Sequence, residues 1–214
     1  MIIDRQPVTP QYLQYRYVFD GLLAVLMLIA TLPIMLIAAL LVSLDGGPII
    51  FRQIRLGKFG EEFEILKFRS MVVNADDYLD QRGQVVGDRV TSIGKLLRKT
   101  SIDELPQLIN IFRGDMAIIG PRPILPSMYP YLTDFEKRRF EARPGITGLA
   151  QVTGRNNVKW SQRFVMDVEY IVTANLFNDI LIALKTVKMV LTSADTTLDR
   201  NSDQVDDITN RTIG

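Results

Sequence analysis

Asp103 and Glu104 are the residues best placed to do chemistry. They are adjacent carboxylates set just before Pro106, within Ser101-Ile102-Asp103-Glu104-Leu105-Pro106-Gln107. The bland alternative makes Asp103 a helix cap and Glu104 an ordinary first-turn acid. The chain has no histidine and no cysteine. Any acid–base or nucleophilic work therefore falls to carboxylates, lysines, hydroxyls or a metal-bound group. The pair also keeps cationic company: Lys67 and Arg69 to one side, Lys95, Arg98 and Lys99 before it, and Arg122 held between Pro121 and Pro123 after it. An arginine between two prolines sits on a nearly rigid extended backbone, so its guanidinium is pre-aimed. A carboxylate can attack phosphorus, a second can hold Mg²⁺ on departing oxygens, and arginines can neutralise the remaining oxygens.

Leu105, Leu108, Ile109 and Phe112 fall at i, i+3, i+4 and i+7, which predicts a short helix stopped by Gly114. Asp103 is the expected N-cap, because that register puts Pro106 in the first turn and both carboxylates at the positive end of the helix dipole, which favours ionisation. Upstream, Ile49–Phe51 and Glu62–Phe68 read as two strands about the turn at Lys58-Phe59-Gly60. In a strand, Lys67 and Arg69 share a face, which fits lipid headgroups or an anion site. Residues 71–92 read as a loop, 116–119 as a buried strand, and 133–142 as a helix with a Thr133–Glu136 capping box whose Lys137, Arg138 and Arg139 face solvent or lipid. The stretch Arg143–Gln151, with Gly154 and Arg155, reads as a glycine-punctuated loop that brings backbone N–H groups near an anion. Residues 160–173 and 177–192 are helices; the second is strongly apolar and fits either a core or an interfacial position.

From Leu22 to Leu44 no charged residue occurs. That run is long enough to cross a hydrocarbon core, which takes roughly 20 residues. Pro33 sits inside it and offers a second topology, in which the chain enters the membrane and turns back. Hydropathy alone favours a span, and the flanking basic residues do not decide between them. Near-balanced charge and a length of 214 residues fit one catalytic unit with appendages.

Four blocks give a sharper reading: Lys67-Phe68-Arg69-Ser70-Met71; the stretch Ser101–Gln107; Arg113-Gly114-Asp115-Met116 with Gly120-Pro121-Arg122-Pro123; and Arg143–Gln151. In order and type they resemble the signature blocks of the bacterial sugar transferases, the small monotopic polyprenyl-phosphate phosphoglycosyl transferases. The resemblance runs from about residue 17 to about residue 191. It implies an α+β, mainly helical fold with a re-entrant membrane helix hairpin at 12–45 and a small cytosolic α/β catalytic domain with interfacial amphipathic helices at 46–192; the polar composition of 193–214 reads as a mobile tail. The implied reaction moves a sugar-1-phosphate from a UDP-sugar to polyprenyl (undecaprenyl) phosphate and releases UMP. Asp103 takes the nucleophile's role and Glu104 that of the Mg²⁺-associated acid; Lys67, Arg69, Arg98, Arg122, Gln151, Arg155 and Asp167 take substrate-binding roles. The implied setting is the cytoplasmic face of a bacterial inner membrane, with membrane lipids, downstream glycosyltransferases and a second copy of the chain as partners, and no nucleic acid. The sequence departs from the family pattern at Leu32-Pro33, where serine precedes the proline, at Ser70 for threonine and at Ala117 for serine. Rival readings are a membrane-associated UDP-sugar glycosyltransferase that releases UDP, and a non-catalytic adaptor for anionic lipid.

Overall fold

The charge-free run forms the core of the longest element, α1 (Gln11–Leu44), 34 residues with Pro33 inside it, about 51 Å at the usual rise per residue. A computed structural model describes residues 11–78, 87–154, 158–192 and 207–208. No turn separates two half-helices at Pro33: the helix continues through it. Thr31 Oγ1 donates to the Met27 carbonyl at 2.7 Å in the preceding turn. Leu13, Tyr17, Ala24, Ala38 and Val42 are buried along one stripe, so α1 lies against the catalytic unit on both sides of the proline. Val18, Leu22, Leu26, Ile29, Ile37 and Leu40 form an exposed apolar back.

The expected hairpin is present: β1 (Ile50–Leu56) pairs antiparallel with β2 (Glu62–Phe68), with Phe51 opposite Lys67 and Arg55 opposite Phe63. Ile65 from β2 packs with Ala24 of α1 and with Leu108 and Ile111. The basic segment that holds Lys95, Arg98 and Lys99, not expected as a helix, forms α2 (Ser92–Lys99), capped by Thr91 Oγ1, which accepts from Gly94 N at 2.9 Å. Gly94 has to be glycine, because a Cβ there would lie 2.0 Å from the Ser70 carbonyl oxygen. That close approach sets α2 beside the end of the hairpin.

Asp103 does not cap the next helix. A single 3₁₀ turn, Ile102–Glu104, contains both acids, and α3 (Gln107–Arg113) starts after Pro106, which occupies the N-cap position without a side-chain bond. Pro106 thus stands before the first turn instead of inside it, and the helix starts later than expected, since the tighter turn has already consumed the residues before the proline. Gly114 ends α3 in the left-handed conformation, φ 87°.

β3 (Ala117–Ile119) is the expected buried strand, and it pairs in parallel with β4 (Gly145–Thr147). This corrects the glycine-punctuated loop. A Cβ on Gly145 would lie 2.1 Å from Gly120 N, and one on Gly148 2.1 Å from Gly120 O. These glycines let two backbones touch. The capping box at Thr133 and Glu136 opens α4 (Asp134–Lys137), which tightens into a 3₁₀ turn over Arg138–Glu141. α5 (Leu149–Gly154), α6 (Trp160–Thr173) and α7 (Leu176–Leu191) complete a mainly helical fold with two small sheets. α7 buries Asp179 and Ile182 and leaves Leu176, Phe177, Ile180, Leu184 and Val187 exposed.

Within the tail predicted to be mobile, Asp207 and Ile208 are pinned. Asp207 Oδ1 accepts from the Ser161 amide of α6 at 3.1 Å, and the Ser161 hydroxyl donates to Oδ2. Ile208 is fully buried among Leu56, Ile124, Leu132, Phe140 and Phe164.

Candidate active site

The acidic pair is built by a strained turn. Ser101 adopts the left-handed conformation, φ 57° and ψ 16°, one of two described non-glycine residues with positive φ. Such a conformation costs on the order of 1–3 kcal/mol and persists where the surroundings impose it. It swings the chain from the basic end of α2 into the 3₁₀ turn and buries Asp103 to 7% exposure.

The two carboxylates then meet different environments. Burial, and next the neighbouring Glu104 charge, push Asp103 above the usual carboxylate range against the pull of Lys67 and Arg98. Burial also opposes ionisation of Glu104, but Lys67 and then Arg122 outweigh it and hold that carboxyl below its usual range. Lys67 Nζ sits 2.5 Å from Glu104 Oε1. Gln107 adds a poorly aligned contact, its buried Nε2 making no regular hydrogen bond. Environment thus separates the pair into one permanent anion and one costly, basic carboxylate.

Lys67, Arg98 and Arg122 surround the pair. Arg98 also donates from Nε to Ser70 Oγ at 2.8 Å, so hairpin and helix are tied where Gly94 lets them touch. Arg122 is exposed between the buried Pro121 and Pro123, and its own carbonyl is gripped by Arg139 Nη2 at 2.6 Å. Arg139, expected to face solvent or lipid, is buried instead. It forms an ion pair with Asp167 at 2.6 and 3.1 Å and lies 4.6 Å from the Phe164 ring centre. Burial pushes Asp167 up and Arg139 pulls it down. Asp167 therefore belongs to the site through Arg139 and the Arg122 backbone.

Arg69 and Gln151 each make a hydrogen bond to the backbone. Arg69 donates to the Val42 carbonyl in the last turn of α1 at 3.1 Å, and Gln151 Nε2 donates to the Ile146 carbonyl at 3.0 Å, leaving its Oε1 buried without a partner. Arg155 lies outside the described residues. The residues that sequence reasoning missed are Gln107 and Arg139. No spacing rule joins Arg139 to Asp167, whose pairing depends on how α4 and α6 pack.

No cluster of three or more acids able to hold a metal occurs among the described residues. The pair still suits Mg²⁺, which keeps several waters and takes one or two carboxylates together with substrate phosphate oxygens. Glu104, held ionised, is the better of the two ligands.

Likeness to known proteins bears on this geometry. Residues 11–193 match the family described as bacterial sugar transferase. An uncharacterized sugar transferase, EpsL, of Bacillus subtilis is 42% identical over 178 residues, which span 82% of this chain and 86% of that one. An undecaprenyl-phosphate galactose phosphotransferase of Salmonella typhimurium is 39% identical across 81% of this chain but only 40% of its own length. A UDP-glucose:undecaprenyl-phosphate glucose-1-phosphate transferase of Caulobacter vibrioides is 42% identical across 82% of this chain and 69% of its own.

Proposed function

The chain belongs to the bacterial sugar transferase family, and from that premise we propose that this transferase moves a sugar-1-phosphate from a UDP-sugar to undecaprenyl phosphate through an aspartyl intermediate. The observation that carries this reading is the split acidic pair: a buried Asp103 of raised basicity beside a Glu104 fixed as an anion by Lys67. The names of the Salmonella and Caulobacter relatives support undecaprenyl phosphate as the acceptor.

In the first step a carboxylate oxygen of Asp103 attacks the phosphorus that bears the sugar. The bond from that phosphorus to the bridging oxygen breaks, and UMP leaves with the electron pair. In the second step a phosphate oxygen of the lipid attacks the same phosphorus, and Asp103 departs as carboxylate with no net change. Lys67, Arg98 and Arg122 are placed to stabilise phosphate oxygens as charge builds, which is where such reactions gain most of their rate. Mg²⁺, when bound by Glu104 and substrate oxygens, supplies Lewis-acid stabilisation of the leaving phosphate. Raised basicity makes Asp103 a better nucleophile once ionised, and its burial removes water that would compete for the adduct.

A lipid acceptor requires contact with a bilayer. The apolar back of α1 and the exposed face of α7 supply one. Both ends of α1 pack on the same catalytic unit, and the helix runs on through Pro33, which supports a monotopic seating on one face of the inner membrane, the cytoplasmic one, rather than a span. The product would then feed glycosyltransferases that extend a lipid-linked glycan. The test is a panel of UDP-sugars incubated with undecaprenyl phosphate, Mg²⁺ and enzyme. UMP as co-product is expected; UDP would make the protein a glycosyltransferase, and neither would leave the lipid-adaptor reading.

A further inference from the structure

Arg55 has surroundings that a structural arginine would not keep. It lies opposite Phe63 in the hairpin, on the strand face shared with Ile65 and Lys67, so it looks toward the side where Lys67 meets Glu104. It is half-buried. Its guanidinium donates to Gln53 Oε1 at 2.6 Å and, at the long limit of 3.5 Å, to the Pro123 carbonyl, while Nε is buried with no partner. No carboxylate forms an ion pair with it among the described residues. Burial, and then the Arg122 guanidinium, push it down to about 10.

The fully buried arginines each have an anion or a helix-end carbonyl, although Arg16 Nε and Arg69 Nη1 also lack a hydrogen-bond partner. Arg16 has Asp20 and Asp179, Arg139 has Asp167, and Arg69 has a carbonyl at the negative end of α1. Arg55 has a second cation instead. A partly desolvated guanidinium on Arg55, repelled by the exposed guanidinium of Arg122 on an adjoining element, opposes folding. An anion with several oxygens turns that repulsion into a bidentate grip, since the planar forks of both groups match phosphate geometry.

We propose that Arg55 forms, together with Arg122, a second phosphate clamp that grasps a substrate oxygen beside the acidic pair. The identity of that phosphate rests on the phosphoglycosyl-transfer reading: it is either the diphosphate of the nucleotide donor or the monophosphate of the lipid acceptor.

The test is ligand-induced thermal stabilisation of the full chain in detergent, comparing wild type with Arg55→Met. The probes are UDP, undecaprenyl phosphate and, as a neutral control, undecaprenol. Arg55→Met should melt at the same temperature as wild type or above it, because an uncompensated cation is gone. It should also need about tenfold more of one phosphate probe for half of the full shift, the loss expected for a charge-assisted hydrogen bond. Weakening confined to UDP assigns the clamp to the donor; weakening confined to undecaprenyl phosphate assigns it to the acceptor. Arg55→Lys should recover part of the affinity. Unchanged affinity for both phosphates overturns the clamp, as does a wild type that responds to neither. A lower melting temperature in Arg55→Met and Arg55→Gln alike, with binding unaltered, makes Arg55 a structural residue. A wild type that binds phosphate through Arg55 but releases no UMP from any UDP-sugar keeps the clamp and removes the transfer reading.

Discussion

Asp103 and Glu104 are neighbours in the chain with opposite electrostatic fates, and the difference can be measured without any substrate. The folded protein holds a proton on Asp103 to higher pH than the unfolded chain does, because burial and Glu104 disfavour the anion. The resulting destabilisation is absent below the unfolded pKa and complete above the folded one. Asp103→Asn should therefore melt above wild type at neutral pH in chelator, with the gap closing in acid; a variant that melts lower at neutral pH would contradict the assignment. Burial pushes Asp167 up as well, but there the loss of a partner decides the effect of removing it. Asp167→Asn leaves Arg139 buried without its partner, which should cost about 3–5 kcal/mol and loosen the Arg122 backbone, to be read by denaturant unfolding and by the KM for UDP-sugar. A cost below about 1 kcal/mol, the range of an exposed pair, would mean that the ion pair does not hold that loop. The acidic pair, Lys67 and Arg122 were legible from residue type and position. Arg139 was not: one basic residue among Lys137, Arg138 and Arg139 is buried, and only its opposition to Asp167 across α6 selects which.

Helix and strand types were largely legible because their signals are local: the Thr133 capping box, the hairpin about Gly60, the apolar periods of α3 and α6. The glycines were misread because their reason is not local. Gly145 and Gly148 answer to Gly120 from the partner strand, and Gly94 answers to Ser70. The start of α3 was misplaced for a related reason, since the 3₁₀ turn is imposed by the left-handed Ser101. For α1 the useful fact is which residues are buried. Leu13 and Tyr17 near one end, and Ala38 and Val42 near the other, pack on the same unit. Single cysteines placed at the exposed Gln14 and Asp45, in a chain with no other cysteine, should both label from the cytoplasmic side with a membrane-impermeant reagent. Labelling from opposite sides would establish a span.

Across the whole molecule α1 acts as a spine: the hairpin, α2, α3 and β3 lie along its buried stripe, and its apolar back is left exposed. The far side of the catalytic unit is closed by Ile208, whose contacts join β1, the segment after Arg122 and α6. Ile208→Ala should lower unfolding stability by about 2–5 kcal/mol, and a chain ending before Asp207 should lose at least as much; a change within about 0.5 kcal/mol, the size of a surface substitution, would mean that the tail does not dock. That docking had no legible signal, because one isoleucine in a polar tail has no periodicity to mark it. The central claim concerns one atom of this assembly, the Asp103 carboxylate oxygen. Enzyme incubated with its UDP-sugar and Mg²⁺, but without lipid acceptor, should release at most one UMP per active site. Intact mass spectrometry should then find a single phospho-sugar on the peptide that carries Asp103, and none on Asp103→Asn. UMP that forms only when undecaprenyl phosphate is present, with no adduct at any time, would contradict the account and point to direct transfer in a ternary complex.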